Sequence, residues 1–308
     1  MRLAVLCSAD SWYFQDLRRA AGDQHTVEAV PFSRIASSLD VVSDSDSGQL
    51  SGASPRGGMS ERIFSAEHSF HEFEAVLVRT MPPGSLEQVV FRMDALHRLE
   101  SMGLPVFNRA RAIEISVDKY LTLARLHSVG LTVPRTETSQ TIEEAMAGFE
   151  RLGGDVVLKP LFGSEGRGIT RINDLAIAER TYRMLIQLGA VIYQQEFVEH
   201  EGADIRLFVL GDRVLGMRRK SQLDWRTNAS RGATCEPLQV TDELAEIAVR
   251  AANATETLVA GVDLLPARDG RLLAIEVNAV PGWRALARTL ELDVAALLLE
   301  FLGQRLRG

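Results

Sequence analysis

The segment Val262–Val280, VDLLPARDGRLLAIEVNAV, restricts most what this chain can fold into. Two strand-like runs flank Asp269-Gly270, a dipeptide favouring a two-residue type I′ hairpin turn. With that pair as the loop, Arg268 faces Arg271, Leu264 faces Ile275, Asp263 faces Glu276 and Val262 faces Val277. Side chains alternate along a strand. One face therefore carries apolar pairs and packs inward. The other carries Asp263, Glu276 and, two residues on, Asn278. Directly opposed carboxylates repel, and a neighbouring amide does not neutralise them. Oxygen ligands of this kind suit Mg²⁺, held by one or two carboxylates and completed by substrate phosphates. Asp263, Glu276 and Asn278 are thus candidate metal ligands. The alternative is a solvated hairpin face with ordinary surface acids, and a bulge would shift the register and weaken the metal reading.

Other residues suit phosphate. Lys159 ends the apolar run Val156-Val157-Leu158, and a buried ammonium needs an anion. The loop Gly163-Ser164-Glu165-Gly166-Arg167-Gly168 follows. Its glycines let backbone N–H groups approach a ligand and form an anion nest, although a plain flexible connection has the same composition. Lys119, near a helix start, reads equally as a solvated lysine. Arg218, Arg219 and Lys220 close one strand, and Arg226 and Arg231 follow in a loop. Such a basic edge is either solvated or holds phosphates or an acidic substrate. Glu196 and Asp204 bracket a short loop, where a carboxylate could accept from a ribose; surface acids are the plainer reading.

The acidic balance, −7 over 308 residues, argues against a nucleic-acid partner. Two distant cysteines, Cys7 and Cys235, lie outside any CxxC or Cys/His cluster, which points to reduced thiols in a cytoplasmic protein. The apolar start is too short for a secretion signal and reads as a buried strand, and no run is long enough to span a membrane. Strands at 3–7, 26–32, 75–80 and 105–108 alternate with helices at 11–21 and 85–102, giving an open parallel α/β lobe. Residues 43–60, rich in Ser, Gly and Asp, read as a mobile loop, with an interaction tail as the alternative. A helix over Val117–Val129 follows, then a capping box at Thr141/Glu144 and a strand-rich half, so a boundary falls near residue 115.

From Lys119 onward the chain resembles an ATP-grasp ligase of the RimK-like glutamate-ligase group. The motifs that carry the likeness are VLKPLFGSEGRG (157–168), YQQEFVEHEGADIRLFV (193–209), WRTNASRGA (225–233), AGVDLL (260–265) and EVNAVPGW (276–283), in matching order and spacing. The resemblance implies an α/β (α+β) ATP-grasp fold with an N-terminal open parallel lobe. It implies a 1–115 pre-ATP-grasp domain, a 116–195 central or lid subdomain, and a 196–308 subdomain holding the metal hairpin. Lys119 and Lys159 would contact nucleotide phosphates, with Gly163, Ser164, Gly166 and Gly168 closing over them. Gln195, Glu196, Phe197 and Val198 would form the adenine hinge, Asp204 the ribose-side acid. Arg226 and Asn228 would face the nucleotide and reacting centre, with Arg231 beside them. Asp263, Glu276 and Asn278 match the family's ligands for Mg²⁺ or Mn²⁺.

The implied reaction is carboxylate plus ATP giving an acyl phosphate and ADP, followed by amine attack to give an amide and phosphate. The implied partners are ATP, an amino acid with glutamate foremost, and a carboxylate acceptor. Pro281-Gly282-Trp283 resembles a subgroup acting on pterin or deazaflavin cofactors. A homo-oligomer is left open. The alternatives are an ATP-grasp ligase joining two amino acids and an ATP-binding module without turnover.

Overall fold

The computed structural model describes residues 1–41, 59–163, 167–221, 225–226 and 232–307. Contacts divide the chain into two compact units, Met1–Ala110 with Ala295–Gly308, and Arg111–Val294.

In the first unit run strand β1 (Arg2–Leu6), helix α1 (Trp12–Ala21), strands β2 (Thr26–Val30), β3 (Ile35–Val41), β4 (Met59–Ser65), β5 (His68–Ser69) and β6 (Ala75–Val78), helix α2 (Leu86–Ser101) and strand β7 (Val106–Phe107). Strands β2-β1-β6-β7 form a parallel sheet. Leu3 to Leu6 and Ala75 to Val78 are all buried, the unbroken apolar pattern of parallel strands covered on both faces. Ser85 and Gln88 close a reciprocal capping box at the start of α2. Strands β3, β4 and β5 make a separate antiparallel sheet. The loop expected over 43–60 is corrected at its end. Met59 and Ser60 belong to β4, which pairs with β3 from Ile35↔Ser65 to Val41↔Met59. These strands carry few large apolar groups, so their alternation is weak; Ile35 and Ile63 supply the buried face. Residues 42–58 lie outside the described residues.

The second unit opens with helices α3 (Ala110–Val117) and α4 (Lys119–Ser128). One helix over 117–129 was expected. Instead Asp118 breaks the path, its side chain accepting from the Leu121 N–H at 3.0 Å as the N-cap of α4. Strand β8 (Thr136–Ser139), helix α5 (Ile142–Arg151), strands β9 (Val156–Lys159) and β10 (Thr170–Ile172), helix α6 (Leu175–Gln187) and strand β11 (Ile192–Glu196) follow. The strands form an antiparallel sheet of order β10-β9-β11-β8. Phe149, Tyr182 and Ile192 sit in the core beneath it. Thr141 caps α5 through the Glu144 N–H.

Strands β12 (Ala203–Leu210), β13 (Arg213–Lys220) and β14 (Thr234–Pro237), helix α7 (Asp242–Ala254), strands β15 (Val259–Pro266) and β16 (Leu272–Asn278), and helices α8 (Arg284–Leu290) and α9 (Val294–Arg307) complete the chain. The five strands pair antiparallel in the order β14-β13-β12-β15-β16. Ile205, Leu207, Val209, Val262, Leu264, Ala274 and Val277 pack with Leu244, Ala248 and Ala251 of α7. This buries one face of the sheet and leaves the other for polar groups.

The hairpin β15–β16 departs from the expected turn. Ala267 N–H donates to Arg271 O at 2.8 Å and Gly270 N–H to Ala267 O at 3.1 Å, with Gly270 at φ +89°. That is a three-residue loop, Arg268-Asp269-Gly270, ending in a left-handed glycine. Near the turn, Leu264 therefore faces Ala274 and not Ile275. A bulge between Asp263 and Leu264 then restores the register, so Asp263 faces Glu276 and Val262 faces Val277 as expected. The extra residue in the turn and the bulge at Ile275 cancel. The step of three from buried Ala274 to buried Val277 marks the bulge on the core face. Among the described residues no helix is long and apolar enough to cross a membrane.

Candidate functional site

The polar face of the five-stranded sheet gathers charges by register. Asp204 of β12 faces Arg219 of β13, Arg206 faces Asp263 of β15, and Asp263 faces Glu276 of β16. Arg219 donates to both oxygens of Asp204 at 2.6 Å and reaches Asp263 at 3.1 Å. Arg206 donates to the other oxygen of Asp263 at 2.7 Å. Asp263 is only 9% exposed. Burial alone would raise its pKa, but the charges of Arg206 and Arg219 outweigh that and hold it below the usual carboxylate range. Glu276 moves the opposite way: burial and then Asp263 push it up, while Lys119, Arg206 and Lys159 pull it down. Opposed acids on one strand pair thus differ because the arginines attend one of them. Gly261, level with Asn278, makes room for this: a Cβ there would lie 2.6 Å from the Arg206 Cζ.

Two lysines reach the same face. Burial lowers the Lys159 pKa to about 8, with Lys119 adding to the fall and Glu276 opposing it. Lys119, lowered by burial and raised by Glu276 and Asp118, donates to the Gly163 carbonyl at 2.8 Å. The Lys159 ammonium donates to the side-chain oxygen of Gln195. The Gln195 amide nitrogen donates to the hydroxyls of Thr136 and Tyr193, both at 3.0 Å. Its polarity is therefore fixed, oxygen towards the lysine.

The remaining expected residues are placed as follows. Gly168 has φ +72°, and a Cβ there would come 2.9 Å from the Pro160 ring, so the loop end requires glycine. Glu196 accepts from the Arg135 N–H and from Arg271, both at 3.2 Å, and thus ties β11 to the hairpin turn. Phe197 donates its N–H to Asp155 O at 2.9 Å, and its ring lies under Arg171, with Cζ 3.4 Å from the centroid. Val198 is buried beside it. Arg226 donates to the Ile169 carbonyl at 3.2 Å and lies 5.6 Å from the Trp225 ring. For Asp204, the ribose contact expected from the sequence meets a competitor in Arg219, which engages both carboxylate oxygens. Ser164, Gly166, Asn228 and Arg231 lie outside the described residues. The basic edge 218–220 divides by strand parity: Arg218 is exposed, Arg219 is buried against Asp204, and Lys220 pairs with Glu236 at 2.9 Å.

Among the described residues no three His, Cys, Asp or Glu side chains gather as a metal site. The candidate set is two carboxylates and an amide. It fits a hard divalent cation completed by phosphate oxygens. A carboxylate keeps lone pairs beyond those given to the arginines, and a cation beside Glu276 offsets the burial and the repulsion from Asp263 that together raise it. The Asn278 side-chain oxygen accepts from the Val280 N–H at 2.8 Å, which orients the amide.

Sequence reasoning did not single out Arg206, Gly261 or the side chains of Gln195, Thr136 and Tyr193. Arg206 had a signal: Asp204-Ile205-Arg206-Leu207 alternates charge with apolar groups, the mark of a strand with one polar face. The others become visible only through cross-strand register.

Comparison with known proteins agrees with this geometry. The RimK-like ATP-grasp domain family matches residues 116–302. The chain is 31% identical over 263 residues to a tetrahydromethanopterin:alpha-L-glutamate ligase of Methanosarcina acetivorans, covering 75% of this chain and 80% of the relative. It is 28% identical over 310 residues to a probable alpha-L-glutamate ligase of Trichodesmium erythraeum, covering 99% and 97%. In fold it resembles the ATP-grasp ligase PsnB, solved with minimal precursor, Mg and ADP, with a TM-score of 0.71 at 20% identity over 98% and 96% of the two chains.

Proposed function

Because the chain belongs to the RimK-like ATP-grasp family of ligases, we propose that it uses magnesium–ATP to join an amino acid, with glutamate first in line, to a carboxylate acceptor of the pterin type. The observation that carries this reading is the meeting of Lys119 and Lys159 with Glu276, opposite Asp263, on one buried sheet face. Cations for a polyphosphate stand beside acids for a divalent ion, the arrangement phosphoryl transfer requires.

Asp263, Glu276 and Asn278 would hold Mg²⁺ or Mn²⁺, which when bound supplies positive charge to the phosphate oxygens. Lys119, Lys159 and the segment 163–168 hold the phosphates, with Ser164 and Gly166 contributing from the middle of the loop. The base lies along Gln195–Val198. The Glu196 and Phe197 N–H groups already donate to Arg135 O and Asp155 O, so reading the base falls to Val198 and the strand carbonyls. Asp204 sets Arg219 and stands on the ribose side. The acceptor carboxylate oxygen attacks the γ-phosphorus, the bond to ADP breaks, and the carboxyl group becomes an acyl phosphate. The amine then attacks the acyl carbon, phosphate leaves, and the nitrogen gives up a proton. Arg226, Arg231 and Lys159 neutralise charge on the transferring phosphoryl group, with Asn228 beside the reacting centre. Positioning and electrostatics supply the catalysis. The cytoplasm is the compartment that fits this use of ATP.

The test is magnesium-dependent ADP release, with L-glutamate and a panel of acceptors: pterin carboxylates, amino acids and peptides. ADP formation that needs an acceptor and an amine together supports the proposal, and the productive acceptor names the substrate. ADP formation with two amino acids alone would replace the pterin reading. Tight ATP binding without turnover on any pair would favour a binding module.

A further inference from the structure

Arg206 of β12 takes no part in the ligase chemistry above, yet it sits against the candidate metal ligands. It lies level with Asp263 of β15, and its Nη1 donates to one carboxylate oxygen of Asp263 at 2.7 Å. Arg219 reaches the other oxygen at 3.1 Å. The two arginines are held differently. Arg219 is fixed by two bonds of 2.6 Å to Asp204. Among the described residues, the carboxylate to which Arg206 donates is that of Asp263. The Arg206 guanidinium lies over Gly261, where a Cβ would stand 2.6 Å from its Cζ and Nη2 and 2.9 Å from its Nε. Gly261 pairs with Asn278, and Asp263 with Glu276. The guanidinium therefore runs along β15 from the level of Glu276 to that of Asn278, beside all three candidate ligands.

The side chains of Arg206 and Asp263 are 11% and 12% exposed, and charges so placed interact far more strongly than in water. A divalent ion entering beside Asp263 meets the guanidinium as a like charge and must take over an oxygen that the guanidinium holds. Breaking a hydrogen bond between charged groups in such a place is costly unless the arginine gains another anion. Nucleotide phosphates are such an anion, and a guanidinium takes phosphate oxygens in pairs. The charge balance of the face agrees. With Asp204 paired to Arg219, Arg206, Lys119 and Lys159 stand against Asp263 and Glu276 among the described residues. Without a polyphosphate this face has no surplus of negative charge to offer a divalent ion.

We propose that Arg206 is a positioning residue that competes with the divalent ion for Asp263 and thereby makes metal binding depend on bound nucleotide. Calling Asp263 a metal ligand rests on the proposed function, and Asp263→Asn separates the failure of one from the failure of the other. Mn²⁺ binding to the full chain is read from the electron paramagnetic resonance of the free ion, without nucleotide and with saturating ADP, the nucleotide alone serving as the blank. The wild type should bind Mn²⁺ about tenfold or more tightly with ADP than without it. Arg206→Gln should tighten nucleotide-free binding about tenfold or more, the equivalent of one charge-assisted hydrogen bond, and should shrink the gain from ADP. A merely structural arginine would weaken metal binding on removal, not strengthen it. Arg206→Lys keeps the charge without the fork and should tighten binding less, which holds the test open if the glutamine variant folds poorly. Arg213→Gln, which removes a charge from the exposed far end of β13, should leave both affinities unchanged. Nucleotide-free affinity in folded Arg206→Gln equal to the wild type or weaker overturns the proposal, and loss of binding in Asp263→Asn alongside it keeps the metal assignment. Mn²⁺ binding with ADP that survives Asp263→Asn overturns both.

Discussion

Replacing Gly261 with alanine should damage the site by moving an arginine. The added Cβ would stand 2.6 Å from the Arg206 Cζ and from its Nη2. A carbon needs more than 3 Å there, so the guanidinium must shift by roughly an ångström. Its 2.7 Å bond to Asp263 then lengthens past useful range. Losing one hydrogen bond between charged groups costs about 1.5–3 kcal/mol. Alanine in place of glycine within a strand returns about 0.5–1 kcal/mol. The net loss should be about 1–2 kcal/mol, read as a lower urea midpoint at unchanged slope. The decisive comparison is the double-mutant cycle with Arg206→Ala. Without the arginine, Gly261→Ala should be neutral or slightly stabilising, giving a coupling of about 2 kcal/mol. An equal effect in both backgrounds would refute the reasoning, because the glycine would then serve something other than Arg206.

Glu276→Gln should raise stability while lowering kcat by about 10²–10³, since the Glu276 charge is buried and faces Asp263. The pH dependence has a definite sign. The folded Glu276 pKa lies above its unfolded value, so its contribution is full below the ordinary carboxylate range and is lost as pH rises through the folded pKa. Thermal melts from pH 4 upward should show that loss in the wild type and its absence in the variant. Lys159 behaves differently. With a folded pKa of about 8 and an unfolded one in the ordinary lysine range, the unfolded chain binds more protons between them, so stability rises with pH across that window. ATP binding near pH 8 should accordingly take up a fraction of a proton, seen as a dependence of calorimetric heat on buffer ionisation that Lys159→Met removes. Gln195→Leu should raise the KM for ATP about tenfold with a smaller change in kcat, because the ammonium loses the acceptor that aims it. Gln195→Asn, which keeps the amide, should recover part of the loss, and equal falls in both parameters would contradict this.

Much of the site was legible in the residues, but not always for the expected reason. Asp263 and Glu276 face each other as the Asp269-Gly270 turn suggested, yet only because an extra turn residue and the bulge at Ile275 offset one another. Hydrophobic parity carried the signal: Val262, Leu264 and Val277 must all point at α7, whatever the loop does. The pairing of Asp204 with Arg219 was not legible, because it depends on the register across β12 and β13. A basic run such as Arg218-Arg219-Lys220 looks uniform until strand parity divides it. The hairpin β3–β4 escaped notice because serines fill its alternating pattern, and α3 because β-branched residues lower its helical signature. Asp118 illustrates a local ambiguity: it was read as opening a helix, and it does, but as a cap between two helices.

If the chain activates a carboxylate as an acyl phosphate, one carboxylate oxygen must pass to the phosphate that leaves. The productive acceptor is labelled with ¹⁸O in its carboxylate and turned over with L-glutamate and magnesium–ATP, and the phosphate formed is analysed by mass spectrometry. One ¹⁸O in inorganic phosphate, with ADP as the nucleotide product, is the expected result. Label in AMP accompanied by pyrophosphate, or phosphate free of label, would contradict the mechanism.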